Sequence, residues 1–145
     1  MKLANMKVFS VEDSERARIY RELKNFLYNR EETVFSYIYG SFPSGSFRDL
    51  DICVYIRSPL RGREGLEYEL SLEIKLEDLT KFPVDVRIID NVPLSLKFNI
   101  IKNGLLLFSK DENIRREFEC LTLKKFHDFK FYLNEYRRVA IGLGV

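Results

Sequence analysis

Tyr39-Gly40-Ser41-Phe42-Pro43-Ser44-Gly45-Ser46-Phe47-Arg48-Asp49-Leu50-Asp51-Ile52-Cys53-Val54-Tyr55-Ile56 joins a Gly-Ser turn to two carboxylates at the head of an alternating apolar run. Side chains alternate faces along a strand, so Asp49 and Asp51 are expected to point the same way. Two ionised carboxylates side by side repel unless something positive sits between them, and a divalent cation is the usual answer. The pattern asks for magnesium. Upstream, the Gly40-Ser41 turn can bring backbone N–H groups and a hydroxyl close to a phosphate, because glycine has no side chain in the way. Cradle and carboxylate pair together suggest nucleotidyl or phosphoryl transfer. The plain alternative is a hairpin whose turn happens to be acidic. Against it, Asp49 and Asp51 stand at the start of the run Ile52, Val54, Ile56 rather than in the turn.

A third carboxylate lies in Phe82-Pro83-Val84-Asp85-Val86-Arg87-Ile88-Ile89-Asp90, a β-branched run bounded by Pro83 and Asn91. It reads as a strand with Val84, Val86 and Ile88 on one face and Asp85 and Arg87 on the other. A carboxylate in the middle of such a strand is costly to bury without a partner. Beside the Asp49/Asp51 strand, Asp85 would complete a trio able to hold two magnesium ions about 3.5–4 Å apart. The alternative is an exposed strand face carrying an Asp85/Arg87 surface pair.

Gly40-Ser41, then Asp49-x-Asp51, then a distal strand aspartate at Asp85 resembles the polymerase-β-type nucleotidyltransferase superfamily, and within it the small minimal nucleotidyltransferase (MNT) branch. The likeness runs from about Thr33 to Asn91 and continues more weakly into the C-terminal helices. It implies that Gly40 and Ser41 contact phosphate, that Asp49 and Asp51 are metal ligands, and that Asp85 is the third ligand and the general base. Residues 42–48, between Ser41 and Asp49, form a shorter loop than is usual in that branch, with Pro43 and Gly45 placed to make a tight turn.

Composition sets bounds on the rest. At 145 residues, 46% hydrophobic and 14% aromatic, the chain can build a sizeable core, and a single nucleotidyltransferase domain is expected over 1–145. A net charge of +2 advertises no broad nucleic-acid or membrane surface. Met1-Lys2-Leu3-Ala4-Asn5 lacks the apolar run of a signal peptide and nothing approaches a membrane span, so a cytoplasmic protein is expected. Cys53 and Cys120 lack metal-type spacing and read as buried, reduced thiols. His127, the single histidine, falls in a helical pattern and reads as a surface or satisfied residue. Glutamine and tryptophan are absent while 32% of residues are charged, a balance that fits either high-temperature function or an AT-rich genome.

Along the chain, Ser10 and Asp13 resemble a helix start, and Ala17, Tyr20, Leu23 and Leu27 recur at helical spacing as far as Arg30. Strands are expected at Thr33–Tyr39, Leu50–Arg57, Val84–Ile89 and Leu105–Phe108, and helices over Glu64–Thr80 and Leu94–Lys102. From Asp111 onward, Ile114, Phe118, Leu121, Phe126, Phe129, Leu133, Tyr136 and Val139 describe one long helix or two broken ones, with a frayed end over Ile141–Val145. The expected class is α+β: a small mixed sheet with flanking helices over about 10–110 and a helical C-terminal extension over about 111–140.

The resemblance implies a Mg²⁺-dependent enzyme that moves AMP, or another nucleoside monophosphate, from a triphosphate such as ATP to a hydroxyl. In that branch the acceptor is a helical HEPN-type toxin and the enzyme is its antitoxin. Two other readings stay open: an antitoxin or interaction module that acts by binding through its aromatic C-terminal helix, and nucleotidyl transfer to a small molecule. Phe118, Phe126, Phe129, Tyr132 and Tyr136 exceed what one short helix can hide against a small core, so a homo-oligomer or a helical partner is expected.

Overall fold

The computed structural model describes residues 7–142. The signal-peptide reading of Met1–Asn5 lies outside them, as does most of the expected frayed end. Among the described residues, four α-helices and four strands follow in the order α1 (Asp13–Tyr28), β1 (Thr33–Tyr39), β2 (Leu50–Ile56), α2 (Gly62–Thr80), β3 (Val84–Ile88), α3 (Leu94–Asn103), β4 (Leu105–Ser109) and α4 (Glu112–Gly142). The class is α+β with a mixed sheet, as expected. Strand order is β3-β2-β1-β4, with β1 antiparallel to β2 and β4, and β2 parallel to β3.

The period of two along β2 divides the molecule into layers. Leu50, Ile52, Val54 and Ile56 pack with Val84, Val86 and Ile88 against Ile19, Leu23 and Leu27 of α1 and Leu72 and Leu76 of α2. The opposite face carries Phe35, Tyr37 and Cys53 under Ile89, Val92 and Ile100, with Ile114 and Phe118 of α4 closing over it. Because each sheet face is covered by helices, both sides of β1 are buried, which its continuous apolar sequence anticipates.

β3 lies at a sheet edge, where outward N–H groups would otherwise invite another strand. Here the N–H groups of Val84, Val86 and Ile88 donate to Glu77, Glu73 and Glu69 of α2, at 3.0, 2.9 and 2.8 Å. The match is geometric: one helix step of four residues rises about 6 Å, and two strand residues advance about 6.6 Å. Glutamates at every fourth position therefore meet donors at every second one.

Boundaries differ from expectation in a few places. Ser10 does not cap α1; Phe9 pairs with Phe47 in an isolated bridge that keeps the chain extended, and Glu12 takes the N-cap position without a side-chain bond. α2 begins at Gly62, and Ile89–Asn91 form a 3-10 turn rather than the last residue of β3. The C-terminal pattern resolves into one unbroken helix, α4, with the Asp111 carboxylate accepting from the Ile114 N–H at its start. Cys120 is exposed rather than buried, whereas Cys53 is fully buried.

Candidate active site

The site residues converge where β1 ends and β2 and β3 begin. Antiparallel register places Tyr39 opposite Asp51, and parallel register places Asp51 beside Asp85. Registered neighbours share a face, so the two carboxylates stand next to each other on the α3/α4 side. Asp49 stands outside the strand, one residue before β2, and is half-buried. The expected alternation of Asp49 and Asp51 along one strand is thus replaced by a loop position followed by a strand position. Among the described residues, no group of three or more His, Cys, Asp or Glu side chains is arranged to hold a metal ion.

Gly40 meets this carboxylate pair directly. Its φ of +77° is a left-handed conformation, and an added Cβ would lie 2.2 Å from Asp51 Oδ2. No side chain fits between the turn and the carboxylate. Ser41 follows, exposed, at the head of a 3-10 turn over Phe42–Ser44, and its carbonyl accepts from the Ser44 N–H and hydroxyl, each at 3.2 Å. Gly40 thus abuts Asp51, and Ser41 is the next, exposed residue of the turn.

Two neighbours of the pair escaped the sequence reading as functional groups. Tyr39 has its phenol pushed well above its ordinary pKa, chiefly by burial, with smaller contributions from neighbouring Cys53, Asp51 and Asp85. Arg87 lies two residues beyond Asp85 and approaches it at Nε–Oδ2 3.8 Å. The surface pair weighed as an alternative therefore exists, but on the same face as Asp51, where it places a cation beside two carboxylates. Its signal, an arginine at i+2 on a strand, was present in the sequence. Behind Asp51, burial pushes the Cys53 thiol up to about 12, which makes it a packing group rather than a nucleophile.

The loop of residues 40–49 rests on aromatic rings. Phe42 and Phe47 meet edge to face at 4.7 Å, Tyr20 of α1 packs on Phe42 at 5.1 Å, and Phe9 and Phe82 close around Phe47 at 5.6 and 5.2 Å. A short loop with two such anchors has a defined path despite its two glycines. Oxygen-only donors beside an open glycine turn suit magnesium, which takes one or two protein carboxylates and completes its shell with water and substrate phosphate.

Residues 21–113, well over half of the chain, match the family model for polymerase beta nucleotidyltransferases. The chain belongs to that family. A search of curated proteins finds no match. Several solved structures share the polymerase beta nucleotidyltransferase fold seen here. One is the tri-AMPylated HEPN toxin of Shewanella oneidensis in complex with an MNT antitoxin, at 16% identity and TM-score 0.67, covering 87% of this chain and 98% of that one. A second is the toxin–antitoxin MntA–HepT, at 16% identity and TM-score 0.61, covering 90% and 99%. A third is a toxin–antitoxin with AMP-PNP, at 17% identity and TM-score 0.61, covering 87% and 98%. At these identities the likeness is one of fold. Among the described residues, no helix of this nucleotidyltransferase is long and apolar enough to cross a membrane.

Proposed function

We propose that this nucleotidyltransferase transfers AMP from ATP to a hydroxyl of a HEPN-type toxin and thereby acts as its antitoxin. The observation that carries the reading is the register pair Asp51/Asp85 facing the Gly40 turn on a polymerase beta nucleotidyltransferase sheet. Support for the acceptor comes from the structural relatives, one with a tri-AMPylated HEPN toxin and one with AMP-PNP.

In this reading the Gly40-Ser41 turn approaches the triphosphate, which glycine alone allows at a spot so close to Asp51. Asp49 and Asp51 would hold the magnesium of the triphosphate, and Asp85 a second one. A magnesium ion held there would supply charge neutralisation at the phosphates and would ease loss of the attacking hydroxyl's proton. Asp85 accepts the hydroxyl proton as the oxygen bonds to the α-phosphorus, and the bond to the bridging oxygen breaks to release pyrophosphate. Arg87 lies at the rim, where its charge would meet a phosphate oxygen or the acceptor.

The test is mass spectrometry of a co-expressed HEPN-type partner after incubation with ATP and Mg²⁺. An added AMP on the partner, absent with Asp51→Asn, is the expected result; an unmodified partner counts against transfer. A second reading is favoured by one observation, the exposure of Phe129, Tyr132 and Tyr136 on α4. If the Asp51→Asn protein still neutralises its partner in cells, neutralisation by binding through this face is the better account.

A further inference from the structure

The turn that follows Gly40 and Ser41 is hydrogen-bonded from α1 by Arg16, beside the Tyr20 ring that packs on Phe42. Arg16 donates through Nη1 to the carbonyl of Phe42 and through Nη2 to the carbonyl of Gly45, the latter at 2.8 Å, reaching across 26 and 29 residues of sequence. Its guanidinium also lies over the Phe42 ring, 4.3 Å from the centroid. Planar, forked and permanently charged, the guanidinium serves both carbonyls and the ring at once, which an ammonium cannot. The two carbonyls bracket the short segment that follows Ser41. Fixing them fixes the direction in which the Gly40-Ser41 backbone is presented.

We infer that Arg16 is a positioning residue for nucleotide binding, holding the 42–45 turn so that Gly40 and Ser41 meet the triphosphate without first being ordered. This rests on the nucleotide reading of the Gly40/Asp51 site given above. The contacts of Arg16 are to the loop carbonyls of Phe42 and Gly45 and to the Phe42 ring, so it acts on the site through the loop. Loop ordering is otherwise an entropic cost of binding, and a preformed turn removes it. No local sequence signal marks the residue: it lies in the helix before β1, and only the tertiary path brings it under the turn.

The experiment compares parent, Arg16→Ala, Arg16→Lys and Asp51→Asn by calorimetry with Mg-ATP, by hydrogen exchange of the amides of residues 41–49, and by urea unfolding. Losing a charge-assisted pair of bonds should raise the Mg-ATP Kd of Arg16→Ala about tenfold or more. Exchange should rise in residues 41–49 and stay at the parental level in β1 and β2. Arg16→Lys, able to reach one carbonyl at a time, should fall between parent and Arg16→Ala; it carries the test if the alanine variant does not fold. A merely structural Arg16 would lower the urea midpoint and leave the folded protein with parental Kd and parental exchange, which overturns the inference. If Asp51→Asn loses Mg-ATP binding while the Arg16 variants keep it, only the positioning role fails. If the parent itself binds no Mg-ATP, the nucleotide reading fails and the positioning role with it.

Discussion

Gly40 and Asp51 illustrate how much can rest on the absence of one carbon. A Cβ at Gly40 is blocked twice, by a φ of +77° and by Asp51 Oδ2 at 2.2 Å. Gly40→Val should therefore weaken Mg-ATP binding by at least about tenfold with every aspartate intact, and destabilise the fold by about 1–2 kcal/mol, as read by calorimetry and urea unfolding. Asp85→Asn is expected to behave differently, keeping Mg-ATP binding while losing AMP transfer in single turnover, because its place beside Asp51 suits proton acceptance. Transfer at the parental rate by Asp85→Asn would remove Asp85 from the chemistry. The two thiols separate just as clearly. Cys53 is fully buried with its pKa raised to about 12, and Cys120 is exposed, so a thiol reagent should label Cys120 in the native protein and reach Cys53 only on unfolding.

At the scale of elements, the glutamate ladder on α2 makes an edge strand behave as an internal one. Glu73→Ala leaves the Val86 N–H without its side-chain acceptor, and should cost about 1–3 kcal/mol by urea denaturation. Removing the three glutamates together should also expose β3 to pairing with other chains, visible as aggregation at parental net apolar content. A second link ties the start of β1 to α2: Glu32 accepts from Arg30 Nε and from the Tyr68 hydroxyl, both at 2.7 Å. Burial pushes the Glu32 carboxyl up, but these hydrogen bonds outweigh it and leave its pKa below the ordinary carboxylate value. A lowered folded pKa means the contribution is complete above the unfolded value and is lost as pH falls through the folded one. Stability should thus decline on the acid side, and Glu32→Gln should flatten that decline in thermal melts taken from pH 6 downward.

For the whole molecule, the element that bears on partnership is α4. Over 31 residues it extends about 46 Å, longer than the sheet it covers. Its first half is tied down: Phe118 packs on Phe35 and Tyr55, Tyr37 donates to Glu119, and Phe126 stacks on Phe98 at 3.9 Å. Beyond that, Phe129, Tyr132 and Tyr136 are between 55% and 72% exposed and, at spacings of three and four on the helix, form one aromatic face that a second chain would cover. Truncation after Asp128 should leave the sheet domain folded and abolish association. A clean 17.2 kDa monomer of the full chain at high concentration, together with no binding to a HEPN-type partner, would show that this face has no occupant.

The sequence by itself determined the period of each element and therefore the layers. Thr33–Tyr39 was legible as a strand because its β-branched and aromatic run has no helical stripe, and Ile52, Val54 and Ile56 recur at the period of two of a strand. Gly40, Ser41, Asp49, Asp51 and Asp85 could be singled out because turn chemistry and acidic residues at strand heads are local signals. What they could not reveal is register, since hydrogen bonding between β2 and β3 depends on a crossover through α2. The tertiary structure decided that Asp51 and Asp85 stand side by side, that Asp49 sits in the loop rather than on β2, and that Arg87 shares their face. It also decided Arg16 and the α2 glutamates, whose partners are backbone groups. Backbone carbonyls and N–H groups are the same in every residue, so no sequence pattern can say which long side chain will reach them.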